Sequence, residues 1–563
     1  MTNSIWILNQ PRDEAGYLSA ELGIPLEIAQ ILANRGISAL ETAQQFLFGT
    51  LEDLHDPFLM KGMKEAVERI REAIAQGEKI LVFGDYDVDG ILSVVILLKA
   101  LESLGAQADY FIPDRLKEGY GIKDEHIEVV LEKEAHLLIS VDCGIKATQF
   151  AERAKEKGID IIITDHHQPG PRLPEARAIL NPVLRDSGYP EKRLAGIGVV
   201  FKLLQALFEK EGKSSSLLPY LKLVSIGTIA DIADLRGENR LFVKFGLKGL
   251  EDVSNTGLKS LMEVCGLSGR RVSVGDVGFR IGPRINAAGR MGMTDLAVQL
   301  FFANSLPESI EIVRHLDKLN SDRQKTEKRI HKQALDRIKT RSLDKRYKFL
   351  ILGCEGWHRG VIGVVTSRLK DYYHRPVILF SYEDEKAYGS GRSISEFSLI
   401  DSLEECKDFF LSYGGHTYAA GCVLALENMA AFKEAINAFA SSRIKDEHLK
   451  RKIYIDAKMD FTDINLSLIE NYSLLSPFGV GNPKPVFLTQ KAVVVGEPQK
   501  IQGRHSKFLV RQNGRIFKAL GWGRADWAEN IHKGDRIDMV YSLLLSEYLG
   551  EEEISLSLED VKK

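Results

Sequence analysis

Three short apolar runs in this chain each stop at an acidic or histidine-bearing turn, and this repeated ending constrains the fold more than any other feature. Lys79-Ile80-Leu81-Val82-Phe83 leads into Asp85-Tyr86-Asp87-Val88-Asp89-Gly90. Leu137-Leu138-Ile139-Ser140-Val141 stops at Asp142, and Ile161-Ile162-Ile163-Thr164 stops at Asp165-His166-His167. Near-continuous apolar runs that alternate with charged amphipathic segments read as parallel strands covered on both faces by helices. Ligands of such sheets bind outside the carboxyl ends of the strands, where all three clusters fall. Carboxylates gathered there repel one another unless a cation sits between them.

Asp-x-Asp-x-Asp-Gly also opens an EF-hand calcium loop. That loop needs a bidentate glutamate at its twelfth position, here Ile96, and the preceding segment reads as a strand rather than a helix. Aspartates joined by one or two imidazoles suit Mn²⁺ or Mg²⁺, and a histidine favours manganese. Five or six such ligands exceed what one ion with an open position can use. Two ions about 3.5–4 Å apart are the economical arrangement, and they suit in-line hydrolysis of a phosphate ester. No serine or cysteine nucleophile at a strand end competes with this reading.

A chain of 563 residues is too long for one core. A hydrophobic content of 44% with 27% charged residues is that of a globular protein. Lys and Arg number 75 against 78 Asp and Glu, for a net charge of −3, so any nucleic-acid binding must come from a local patch. The five cysteines (Cys143, Cys265, Cys354, Cys406, Cys422) are scattered without CxxC spacing, which suggests a reducing compartment and no zinc ribbon. Neither a signal peptide nor a membrane-spanning apolar stretch is evident, so a cytoplasmic location is the expectation.

Helical spacing over 14–48 predicts an N-terminal cap or linker. Helices are expected over 65–75 and 91–104, the latter closed by Gly105, with strands near 79–83, 108–112, 136–141, 159–164 and 178–180. A helical region follows over 195–340 and ends in a long charged helix, and a second mixed α/β segment runs over 347–440. Short strands at 491–495, 508–511, 515–520 and 537–545 suggest a small β-barrel. The fold class is therefore α/β with five expected segments. These are a helical cap or linker (1–55), a parallel-sheet catalytic domain (56–305), a connecting helix (306–345), a smaller α/β domain (346–445) and a β-barrel (446–563).

These residues carry a resemblance. The three strand-end clusters, with Gly227-Thr228-Ile229-Ala230-Asp231, resemble the motifs of the DHH phosphoesterase superfamily. Gly356-Trp357-His358-Arg359-Gly360-Val361-Ile362-Gly363 and Gly414-Gly415-His416 resemble its associated DHHA1 domain. Pro283-Arg284-Ile285-Asn286-Ala287-Ala288-Gly289-Arg290 and Pro477-Phe478-Gly479-Val480-Gly481-Asn482-Pro483 are similar to sequences of its bacterial single-stranded-DNA exonuclease branch, and the C-terminal segment to the OB-fold of that branch.

The resemblance implies a two-metal exonuclease that degrades single-stranded DNA from its 5′ end in recombination and repair. Its alternatives are a superfamily hydrolase of short oligonucleotides or cyclic dinucleotides and a metal-free replication scaffold. It implies Asp87, Asp89, Asp142, His166 and Asp231 as metal ligands, Asp142 as the bridge and Asp85 as an outer ligand. His167 would act at the reacting phosphate, and Asp165 would orient the histidines. Asp234 rivals Asp231. His416 is the implied substrate-contacting histidine. Ser390 and Arg392 pair a hydroxyl with a guanidinium, a combination suited to a terminal phosphate. Arg115, Arg284 and Arg290 are further candidates there, and His358 either contacts substrate or caps the core. In the barrel, Arg504, His505, Lys507, Arg511, Arg515 and Lys518 give local positive charge. Phe508, Phe517 and Trp522 could stack on bases, with core packing the competing role for the two phenylalanines. Single-stranded DNA is the expected partner, with a single-strand-binding protein and a helicase as candidate protein partners, and the expected state is a monomer.

Overall fold

The computed structural model describes the chain except residues 1–3, 115–117, 120 and 549–550. The described residues form two compact units. One comprises Gln45–Arg323 with Ser476–Pro483, the other Met1–Gln44, Gln324–Leu475 and Lys484–Lys563.

The first unit is built on a five-stranded parallel sheet. Its strands are those the sequence predicts, and their spatial order is Gln107–Phe111, Lys79–Gly84, Leu137–Val141, Asp160–Thr164 and Ala178–Leu180. Strand alternation divides its core in two. Ile80 and Val82 face a large cluster with helices Met63–Gln76, Val88–Ser103 and Gly196–Lys210, while Leu81 and Phe83 face a smaller one with Ile127, Phe150 and Ala151. Helix Val88–Ser103 begins earlier than its apolar spacing suggests. The Asp87 side chain accepts a hydrogen bond from the Gly90 N–H at 3.1 Å and so caps the helix start, which places Asp89 in its first turn.

The second unit carries the smaller α/β segment and the barrel. The α/β sheet has the order Phe410–Gly415, Ala419–Ala425, Lys386–Arg392, Val377–Glu383 and Leu350–Glu355, with only the last pair parallel. In the barrel, strands Phe487–Val494, Arg536–Tyr548, Glu551–Lys562, Arg515–Gly521 and His505–Gln512 pair in turn, and the last returns to the first. Such closure leaves no free edge. The charged helix predicted between the α/β segments runs continuously over Leu306–Thr340. No helix among the described residues is long and apolar enough to cross a membrane.

The structure departs from the sequence expectation in three places. Before the N-terminal helices, Ile5–Leu8 forms a strand parallel to Lys452–Ile455. The strand Glu551–Lys562 was not anticipated, although Ile554-Ser555-Leu556-Ser557-Leu558 alternates in the strand period. Ser476–Pro483 interrupts the expected C-terminal segment and belongs to the parallel-sheet unit, where the Leu235 N–H donates to the Val480 carbonyl at 2.7 Å.

Candidate metal centre and substrate-contacting residues

In-register pairing aligns Gly84 with Val141 and Val141 with Thr164, so the three acidic turns leave the sheet side by side. Asp142, directly after strand Leu137–Val141, holds a left-handed backbone, φ 59°, which is uncommon outside glycine. Asp231 follows helix Leu221–Ala230, the helix that carries the Gly-Thr-Ile-Ala sequence.

The ligand atoms converge. His166 Nε2 lies 3.1 Å from Asp142 Oδ1 and 4.0 Å from Asp231 Oδ2. Three groups have ligand atoms within 4.8 Å of one another: Asp142, His166 and His167; Asp89, His166 and Asp231; Asp85, Asp87 and Asp142. Asp142 and His166 each belong to two groups, so the cluster is continuous and larger than one ion requires.

Burial makes this arrangement costly without a cation. Asp85, Asp89 and Asp142 are all buried. Burial and the neighbouring aspartates push the Asp142 and Asp231 carboxyls well above the usual range. Burial and Asp87 push Asp89 up to about 7, although Asp89 accepts N–H donors from Gly196 and Ile197, each at 2.8 Å. Burial, with His167 beside it, pushes His166 down to about 4, so its imidazole is neutral and fit to ligate. His166 is hydrogen bonded to the Leu194 backbone, while its buried Nε2 makes no hydrogen bond of normal geometry. Oxygen donors plus a neutral imidazole fit Mn²⁺ or Mg²⁺.

Asp165 is committed elsewhere. It accepts from the N–H groups of Ile145, His166 and His167 at 2.9, 2.7 and 3.0 Å, and Asp165 Oδ1 lies 2.8 Å from His167 Nδ1. These partners hold its carboxyl low against the effect of burial. In turn Asp165 outweighs the burial of His167 and raises the affinity of that imidazole for a proton. Asp234, the rival of Asp231, forms a two-point ion pair with Arg236 and joins none of the three groups.

Sequence reasoning missed the two close approaches that shape the cluster. A Cβ on Gly196 would stand 2.6 Å from Asp142 Oδ1, and a Cβ on Gly289 would stand 2.0 Å from the Tyr86 carbonyl oxygen. The local signal for the first is Gly196-Ile197-Gly198 opening a helix, and for the second Ala287-Ala288-Gly289 ending one.

The substrate candidates divide between the units. Arg115 lies outside the described residues. Arg284 donates to Asp317 at 2.9 Å and to the Arg280 carbonyl at 2.8 Å, so its guanidinium is engaged within its own unit. Arg290 ends helix Gly282–Arg290 directly after Gly289. In the other unit, His358 caps helix Arg359–Tyr373, its Nδ1 accepting from the Gly360 N–H at 3.1 Å. Ser390 and Arg392 project beneath the start of that helix, where a Cβ on Gly363 would meet Ser390 Oγ at 3.0 Å and Arg392 Nη2 at 3.7 Å. Arg392 pairs in register with Ala419, whose carbonyl accepts from the exposed His416 N–H at 2.8 Å, so His416 crowns the adjacent hairpin.

In the barrel, Phe508 and Phe517 are buried, Phe517 packing edge-on against Phe461, and stacking on bases is ruled out for them as the barrel stands. Trp522 remains 54% exposed, with the His505 ring 5.0 Å away. Arg504, Arg511 and Arg515 are exposed, whereas Lys518 is ion-paired with Glu553.

Comparison with known proteins matches residues 79–228 to the DHH family N-terminal domain, 346–442 to the DHHA1 domain and 455–560 to the RecJ OB domain. The single-stranded-DNA-specific exonuclease RecJ of Bacillus subtilis is 38% identical over 99% of this chain and 70% of its own length. The Escherichia coli protein of the same name is 31% identical over 100% of both chains. The crystal structure of Thermus thermophilus RecJ in complex with Mn²⁺ superposes with a TM-score of 0.85 at 31% identity, covering 99% of this chain and 79% of that one. With motifs, domain order and full-length similarity in agreement, this chain belongs to the RecJ family of DHH phosphoesterases.

Proposed function

We propose that this chain is a divalent-metal-dependent exonuclease that hydrolyses single-stranded DNA from its 5′ end and releases 5′-mononucleotides, in recombination and repair. The observation that carries the reading is the continuous cluster of aspartates and His166 at the ends of three adjacent parallel strands. Asp87, Asp89, Asp142, His166 and Asp231 would hold two ions, Mn²⁺ or Mg²⁺, with Asp85 as an outer ligand. Asp142, common to two groups, would be shared between the ions. Bound there, such ions supply an activated water and neutralise charge that develops on the phosphate.

The chain's own residues do the rest. The N–H groups of Gly196 and Ile197 fix the Asp89 carboxylate. Asp165 orients His167 and favours its protonated form, so that His167 stabilises negative charge on the phosphate or gives a proton to the leaving oxygen. Ser390 and Arg392, with His358 and His416, would read the terminal phosphate, and Arg284 and Arg290 are further candidates, as is Arg115, which lies outside the described residues. The domain assignment that goes with this reading is a cap over 1–55, the DHH domain over 56–305, the connecting helix over 306–345, the DHHA1 domain over 346–445 and the OB domain over 446–563. Ser476–Pro483 would be an excursion of the last. A monomer in the cytoplasm that works with a single-strand-binding protein and a helicase completes the proposal.

The test uses single-stranded DNA, 5′-phosphorylated and labelled at either end, with Mn²⁺ or with chelator. Mn²⁺-dependent release of mononucleotides from the 5′ end is the expected result. Hydrolysis confined to di- and trinucleotides would favour the short-oligonucleotide hydrolase, and no hydrolysis at all would favour the scaffold.

A further inference from the structure

Over residues 325–339, the outward face of the long helix carries charge of nearly one sign. Between Lys325 and Lys339, the buried positions Glu327, Ile330, Ala334 and Ile338 define the inward side. Opposite them, Lys325, Lys328, Arg329, Lys332 and Lys339 are exposed and fall within an arc of about 100° at 3.6 residues per turn. Asp336 is the single carboxylate in that arc. The helix's other acid in this stretch, Glu327, is turned inward and pairs with Arg368 at 2.7 Å.

A solvated outward face normally mixes signs and gains from opposite charges four residues apart. Here Lys325 with Arg329 and Lys328 with Lys332 are like-charged neighbours four residues apart. Lys325 with Lys328 and Arg329 with Lys332 are like-charged three apart. Each such pair works against the helix. The helix dipole accounts for cations in the last turn, Arg337 and Lys339, but not for four of them two or more turns before Thr340. The stripe also stands on a chain whose net charge is −3, so it is a local concentration rather than a general excess.

We propose that Lys325, Lys328, Arg329 and Lys332 form a sequence-independent track for the phosphate backbone of single-stranded DNA. The proposal rests on the exonuclease reading above. Lysine dominates the stripe, and a lysine is a compact point charge that tracks phosphates without reading bases. The four residues occupy three successive levels along a rigid rod, Lys325, then Lys328 with Arg329, then Lys332, each close to one helical turn from the next, which matches a ligand of regularly spaced negative charge. Arg329 gives one hydrogen bond to the Gly356 carbonyl at 3.0 Å, just after strand Leu350–Glu355, which fixes the position of its guanidinium.

The test is the salt dependence of binding by the full chain carrying Lys325→Gln, Lys328→Gln and Lys332→Gln. Glutamine keeps the helix propensity and removes the charge. For a long oligothymidylate, the slope of log K against log salt should fall by about 2, since each lost phosphate contact removes about 0.7. The triple Lys→Arg variant should retain the wild-type slope. An unchanged slope in a folded glutamine variant overturns the track, whatever else the surface binds. Hydrolysis of a 5′-phosphorylated trinucleotide separates the two readings, because it offers too few phosphates to occupy the stripe as well as the metal centre. If the wild type leaves both substrates intact, the exonuclease reading fails. If it degrades both and the slopes agree, only the track fails.

Discussion

Gly196→Ala is the substitution that best tests the metal centre, because the added methyl group has nowhere to go. Its Cβ would stand 2.6 Å from Asp142 Oδ1 and 2.8 Å from both Asp142 Cβ and Cγ. An ordinary carbon–oxygen approach is about 3.4 Å, so about 0.8 Å of movement is required. If the Asp142 carboxylate moves, it leaves the ligand cluster, where tolerances are about 0.2 Å. If the helix start moves instead, it withdraws the two N–H groups that hold Asp89 at 2.8 Å. Either way, a displacement approaching 1 Å lowers turnover by about 100-fold.

Stability provides an independent measure. At a Mn²⁺ concentration 100 times the dissociation constant, one site stabilises the fold by about 2.7 kcal/mol, and a 100-fold weaker site by only about 0.4 kcal/mol. The expected pattern is a metal-free Tm below wild type, since overpacking at the buried helix start costs about 1–3 kcal/mol, a Mn²⁺-induced rise in Tm that nearly vanishes, and a turnover down by two orders of magnitude. Gly198→Ala is the control, since its Cβ meets nothing closer than Leu194 at 3.5 Å. Wild-type turnover together with a wild-type Mn²⁺ response in Gly196→Ala would refute the geometry of the centre.

Asp142→Ala should reduce hydrolysis below a tenth of wild type at saturating Mn²⁺ with the fold intact, since it belongs to two ligand groups, and a higher residual rate would remove it as the shared ligand. The metal-free protein should lose stability as pH rises from about 4 to about 7. Asp89 has its carboxyl raised from 3.8 to about 7, so its contribution is complete below the unfolded value and is lost as pH passes the folded one, up to about 4 kcal/mol. Denaturant melts at pH 5 and 8 should differ without metal and converge with Mn²⁺, and equal midpoints at both values without metal would contradict this. Arg392→Ala should lower kcat/KM on 5′-phosphorylated ends by about 10- to 100-fold more than on 5′-hydroxyl ends, from one charge-assisted contact of roughly 1.5–3 kcal/mol. Equal ratios would make Arg392 a general backbone contact.

The parallel sheet was legible because its strands announce themselves locally. Leu137–Val141 is buried at every position, and Lys79–Gly84 and Asp160–Thr164 at every position after the first, so their apolar runs are nearly continuous in the sequence as well. Strand Ile5–Leu8 was not legible for the opposite reason. It is four residues long and half-buried, and its partner Lys452–Ile455 lies far along the chain, so nothing nearby specifies it. Ser476–Pro483 follows the same logic, since its placement depends on a hydrogen bond to Leu235 that no local pattern encodes.

The site was legible to the depth of residue type and no further. Carboxylates at strand ends identify a cation centre because the cost of leaving them together is a property of the residues themselves. What holds them at ligand distance is non-local. Asp89 and Asp142 are both fixed against Gly196, and Tyr86 against Gly289, through contacts between segments that the sequence separates widely. The barrel shows the same division in reverse. Along His505–Gln512 the buried positions are Ser506, Phe508 and Val510, while Leu509 and Arg511 face out, so the strand period alone decides that Phe508 fills the core. Aromatic content there pointed to stacking and parity pointed to packing, and parity prevailed. Trp522 lies just past the end of strand Arg515–Gly521, outside that alternation, and it is the aromatic of the three left exposed for a base.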